Sequence, residues 1–101
     1  MKSPEGTEQK IPNLDELREK IDSLDKKLLS VLAERMALIP LVAQYKKIKN
    51  ISRFQPDREK MVIESRRAIA EELSVSPDLA EKIMKLIIED AHRIEKGVIG
   101  E

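Results

Sequence analysis

The chain contains no cysteine and no tryptophan, one tyrosine, one phenylalanine and one histidine in 101 residues. Without thiols, disulfides and thiolate chemistry are excluded. With Tyr45 and Phe54 as the only aromatic rings, there is little from which to build the stacked platforms that single-stranded nucleic acid requires. Net charge is lacking as well, since 19 Lys and Arg balance 19 Asp and Glu. No overall field favours nucleic acid or an anionic membrane, so any bound anion has to be held by local arrangement. The first ten residues lack the apolar core of a secretory signal. No run is read as approaching the length of a bilayer span. The expectation is a soluble, cytoplasmic, single-domain protein with neither nucleic-acid nor membrane partners.

Apolar residues are plentiful and strictly spaced. Leu14, Ile21, Leu28 and Val42 fall on one register of a seven-residue repeat, and Leu17, Leu24, Val31, Leu38 and Tyr45 on the other. That spacing predicts a long helix with a buried seam from Leu14 to about Lys49, roughly 54 Å if straight. Asn13 is its expected N-cap, with Glu16 completing a capping-box-like start and Asp15 set favourably against the helix dipole. Pro40 removes one backbone hydrogen bond and crowds the preceding turn. Because the seam stays in phase beyond it, a kink near Leu38–Pro40 is expected rather than two helices.

Asn50 to Gln55 break the pattern and predict a loop. Pro56, followed by Asp57 and Glu59, opens a second helix carrying Val62, Ile69 and Leu73 on one face. Ser76-Pro77-Asp78 opens a third, with Leu79, Ala80, Ile83, Met84, Ile87, Ile88, Ala91 and Ile94 in a wide apolar stripe and Gly97 as its expected stop. The fold class is all-α: one long helix and two shorter ones, over residues 13–97. Residues 1–12 are expected to be a disordered N-terminal tail and residues 98–101 a C-terminal tail. Two short helices cannot cover a seam of 36 residues, so two chains pairing their long helices is the economical solution.

One seam position is not apolar. Arg35 stands where the repeat asks for leucine, and an arginine there requires an anionic partner or a strong structural reason. On an ideal helix Lys46 shares its face three turns on, with backbones about 16 Å apart, a spacing from which two long cations can clamp a small dianion. Arg18 lies about 25 Å before Arg35 and is rotated by roughly 100°. It serves the same ligand only from the partner of a dimer with antiparallel long helices. The plain alternative for Arg18 and Lys46 is a solvated flank. Arg58 and Glu59 follow Gln55 in the first turn of the second helix, where an acid compensates the helix dipole and Arg58 is otherwise exposed. Glu95 extends the stripe Met84–Ile88–Ala91 by a turn, either at a solvated end or inside a polar pocket. Glu89-x-x-His92 has the spacing of a di-metal ligand pair but lacks the matching inward glutamates. His92 is therefore expected to be packed or partly exposed rather than catalytic. No nucleophile–base pair or phosphate loop is present.

The segments Leu17-Arg18-Glu19-Lys20-Ile21-Asp22-Ser23-Leu24-Asp25, Leu32-Ala33-Glu34-Arg35, Lys46, Asp57-Arg58-Glu59 and Leu86-Ile87-Ile88-Glu89-Asp90 resemble, in order and spacing, the all-helical chorismate mutases. The resemblance runs from about Leu14 to Lys96. It implies an intertwined homodimer with two active sites and the rearrangement of chorismate to prephenate, on the shikimate route to phenylalanine and tyrosine, with no cofactor and no metal. Carried over by position, Arg18 of the partner chain and Arg35 grip the substrate carboxylates. Lys46 reaches a carboxylate and the ether oxygen, Arg58 adds a carboxylate contact, and Glu59 accepts the ring hydroxyl.

Three positions depart from the bacterial pattern. Gln55 replaces an aspartate, Ala91 a small hydroxyl residue, and Glu95 the glutamine that faces the ether oxygen, as in the fungal enzymes. A glutamate donates that hydrogen bond only when protonated, so activity is expected to be greater at acidic pH. Two rivals stand beside this reading. An isochorismate-pyruvate lyase of the same fold would use the same cations, but Glu59 argues against it. A non-enzymatic helical dimerisation module would leave Arg35 without a purpose.

Overall fold

The computed structural model describes residues 11–101; the first ten residues of the expected tail lie outside them. Three helices make up the fold: α1 (Leu14–Lys49), α2 (Pro56–Glu72) and α3 (Pro77–Ile99). No strand occurs among the described residues. The chain forms two compact units, one ending at Arg35 and the other running from Met36 to Glu101.

The α1 start is built as its sequence suggests. Asn13 Oδ1 accepts from the Glu16 backbone N–H at 2.9 Å, and Glu16 Oε1 returns to Asn13 Nδ2 at 3.0 Å. The carboxylate thus closes the box on the cap's side chain, satisfying one of the amides a helix start leaves bare. α1 runs through Pro40 without ending, as expected of a seam that holds its phase across the proline.

All three helices stop by one device. A residue at positive φ follows each helix (Asn50 at 56°, Ser74 at 59°, Gly100 at 92°). The next amide then reaches back to a carbonyl of the last turn: Ile51 to Lys46 and Val75 to Ala70, each at 2.8 Å, and Glu101 to Lys96 at 3.0 Å. This is the Schellman closure. It corrects the expected stop at Gly97, which sits inside α3. Only Gly100 adopts the left-handed conformation that closes the helix, so α3 takes in two residues assigned to the tail.

Within Met36–Glu101, α2 packs on α3. Ala43, Val62, Ala70 and Ala91 are buried, and small side chains at such positions let backbones approach closely. Ser76 caps α3 by accepting from the Leu79 amide at 3.2 Å. Arg67 of α2 pairs with Asp78 at 3.0 Å and Glu81 at 2.9 Å on the first turns of α3. Much of the apolar surface stays uncovered in the single chain. Ile69 and Leu73 of the expected α2 face are 46% and 69% exposed. Along α1, Leu24, Leu28, Val31 and Tyr45 are each at least 60% exposed. The long helix also holds an 18-residue stretch of mean hydropathy 1.3, long and apolar enough to cross a membrane by length and composition alone. That corrects the expectation that no run approaches such a length. Residues 28–45 are the only stretch with so few charges, and they carry Glu34 and Arg35 at mid-length.

Candidate functional site

Two of the singled-out residues, 49 positions apart in sequence, meet directly. Lys46, in the last turn of α1, places Nζ 2.9 Å from Glu95 Oε1 on α3. The Schellman turn at Asn50 folds the following loop back beneath α1. The same ammonium thereby donates to the Arg53 carbonyl at 2.8 Å. The side chains of Lys46 and Glu95 are only 16% and 8% exposed, so each charge depends on the other to offset desolvation. Ala91 lies one turn before Glu95 and is also buried. Its methyl group offers no hydrogen bond beside the pair.

A second cluster adjoins through Arg53. Glu59 Oε2, in the first turns of α2, lies 2.6 Å from His92 Nε2 on α3. His92 Nδ1 contacts Arg53 Nη1, and Arg53 Nε donates to the Glu101 carboxylate at 2.6 Å. The Phe54 ring stands 6.0 Å from the imidazole at 59°, within the range of tilted aromatic contacts. Glu59, His92, Arg53 and Phe54 border an open cleft of about 840 Å³ between α2 and α3, lined as well by Ile63 and Ile88. Lys46, Ala91 and Glu95 do not line that cleft. Glu59 therefore borders it, while the Lys46–Glu95 pair does not.

The remaining candidates are spread out. Gln55 turns its amide to the Ser52 carbonyl at 3.0 Å, which braces the loop. Arg58 is exposed on α2, and Arg18 is exposed on α1. Arg35 is partly buried, in keeping with its place in the seam. Reading the sequence gave no part to Arg53, and it saw in His92 only a packed or partly exposed side chain. His92 is half-buried, as expected, but it joins Glu59 to Arg53. The only hint was Asn50, an αL-tolerant residue at the end of a helix, which turns the loop toward Lys46.

Comparison with known proteins shows which family the chain resembles. Residues 17–96 match the family described as chorismate mutase type II. The chain is 36% identical over 85 residues to the T-protein of Enterobacter agglomerans, covering 84% of this chain and 23% of that protein. It is 34% identical over 91 residues to the chorismate mutase of Methanocaldococcus jannaschii, covering 90% of this chain and 92% of that one. The Haemophilus influenzae T-protein is 32% identical over 82 residues, covering 81% of the chain and 22% of that protein. The chain thus spans less than a quarter of the T-proteins and nearly the whole of the archaeal relative.

Proposed function

The chain belongs to the chorismate mutase type II family, and from that premise we propose that it catalyses the rearrangement of chorismate to prephenate. The observation that carries the reading is the Lys46–Glu95 pair, 2.9 Å apart and nearly closed to solvent. The two residues assigned to the substrate's ether oxygen on sequence grounds are neighbours in the fold. The reaction breaks one C–O bond and forms one C–C bond within a single molecule. The protein's task is to hold the reactive conformer and stabilise charge growing on the ether oxygen. Among the described residues Lys46 has one further N–H beyond those given to Glu95 and Arg53, and that proton is available to the substrate. Arg35, Arg58 and the partner's Arg18 hold the carboxylates, and Glu59 accepts the ring hydroxyl. Gln55 and Ala91 complete the wall with fewer polar contacts than the bacterial pattern has.

The same proposal includes a homodimer. The exposed seam of α1 supports it, because burying each half-exposed leucine contributes on the order of 1 kcal/mol. A lipid bilayer is the poorer cover for residues 28–45, since a charged side chain at its centre costs about 2.5–3.5 kcal/mol, and the stretch holds two such residues. The same proposal places its action in the cytoplasm, without membrane attachment.

Incubation of the purified chain with chorismate tests the reading. Prephenate formation without added metal or cofactor is expected. Pyruvate release from isochorismate, with no prephenate from chorismate, would overturn it in favour of the lyase.

A further inference from the structure

We propose that His92 is a positioning residue, which fixes the carboxylate of Glu59 in the orientation needed to receive the substrate's ring hydroxyl. This rests on the reading of Glu59 as the hydroxyl acceptor and adds to it the group that aims Glu59.

A guanidinium only donates hydrogen bonds. Arg53 Nη1 faces His92 Nδ1, so Nδ1 has to present its lone pair. The ring proton of the neutral imidazole is then on Nε2, the nitrogen that lies 2.6 Å from Glu59 Oε2. Arg53 selects the tautomer, and the tautomer turns a donor toward the carboxylate. Arg53 is itself held at both ends, by Glu101 through its guanidinium and by Lys46 through its carbonyl. Phe54 flanks the ring. With one oxygen of Glu59 held by His92, the other remains to accept from the ligand's hydroxyl. A glutamate without that donor samples several rotamers and loses part of its contribution to binding.

Four variants, one of them double, and one spectrum test this. His92→Leu removes the donor, and KM for chorismate is expected to rise roughly tenfold with kcat little changed, because a hydroxyl contact made equally in substrate and transition state is uniform binding. His92→Gln places an amide N–H near the former Nε2 and is expected to recover most of the loss. In Glu59→Gln the added His92→Leu change should cost little more, since both act on one contact. Nitrogen-15 NMR of the unliganded protein should show His92 as the Nε2–H tautomer, with its signal displaced by Glu59→Gln; this holds even if His92→Leu folds poorly. Losses that multiply in the double variant, an unchanged KM in a folded His92→Leu protein, or an Nδ1–H tautomer would overturn the proposal. An inactive wild-type protein showing the Nε2–H signal would instead sink the reading of Glu59 on which the proposal rests, and the proposal with it.

Discussion

An ammonium group has three protons to donate, and at Lys46 two of them go to Glu95 and to the Arg53 carbonyl. Removing one member of so enclosed a pair strands the other. Lys46→Met leaves a buried carboxylate uncompensated, and a stability loss of about 3 kcal/mol or more is expected in urea denaturation. Glu95→Gln keeps an acceptor oxygen for Lys46, which still donates to the Arg53 carbonyl, and should cost less than Lys46→Met. Equal stability of the Lys46→Met protein and its parent would mean that the pair is open to water in solution. In the proposed reading Glu95 also meets the ether oxygen of the substrate. In the structure it accepts from Lys46, whereas donating to an ether oxygen requires a proton on the carboxyl. Glu95→Gln, whose amide donates at any pH, should therefore change the dependence of turnover on pH. An unchanged profile in that variant removes Glu95 from the ether oxygen. Lys46 and Glu95 were legible in the sequence because each sits at a position the family resemblance marks. Arg53 was not, because loop side chains follow no period, and its backbone carbonyl leaves no trace in the sequence at all.

Helix ends show where local chemistry was readable and where it was not. Starts were clear, since Asn13 and Ser76 cap with side chains whose type announces the role. Stops were less so. Gly97 and Gly100 are equally good candidates by residue type, and only packing decides which one takes positive φ. At Ser74 a non-glycine residue holds φ 59°, a conformation that costs an L-residue about 1–2 kcal/mol. Ser74→Gly should therefore stabilise the chain by roughly 0.5–1 kcal/mol after the entropy glycine adds to the unfolded state, read as a raised midpoint of thermal unfolding. A lowered midpoint would mean that the serine is doing something the αL argument misses. The α2–α3 clasp makes a different claim. A hydrogen bond from Lys85, and a further one from Arg67, hold the Glu81 carboxyl below the usual glutamate range. A carboxylate whose folded value is depressed adds stability above its unfolded value, about 4.3, and loses it as pH falls through the folded one. Glu81→Gln should flatten part of the acid limb of stability against pH, with an effect that shrinks in high salt because the group is partly exposed. An identical acid limb in parent and variant would dismiss the clasp as a stabilising contact.

For the whole molecule, the all-α class and three helices were legible because a seven-residue apolar period has few other meanings. What the period does not say is what covers the seam. Leu24, Leu28 and Val31 are more than 60% exposed, and the proposed cover for them is another copy of the chain. If Arg18 is supplied across a two-fold axis, the two active sites of a dimer each draw on both chains. Arg18→Ala and Lys46→Met then damage different members of each site. In a heterodimer of the two variants, one site carries both defects and the other carries neither. Random re-association makes about half the dimers mixed, with one intact site in each, so about one quarter of wild-type activity should return from two inactive proteins. Mixing under conditions that exchange subunits, with sedimentation to verify dimers, measures this directly. Mixed dimers without recovery would place Arg18 outside the partner's site. A chain that sediments as a monomer at the concentrations where it turns over chorismate would leave the seam's cover, and the shared site with it, without foundation.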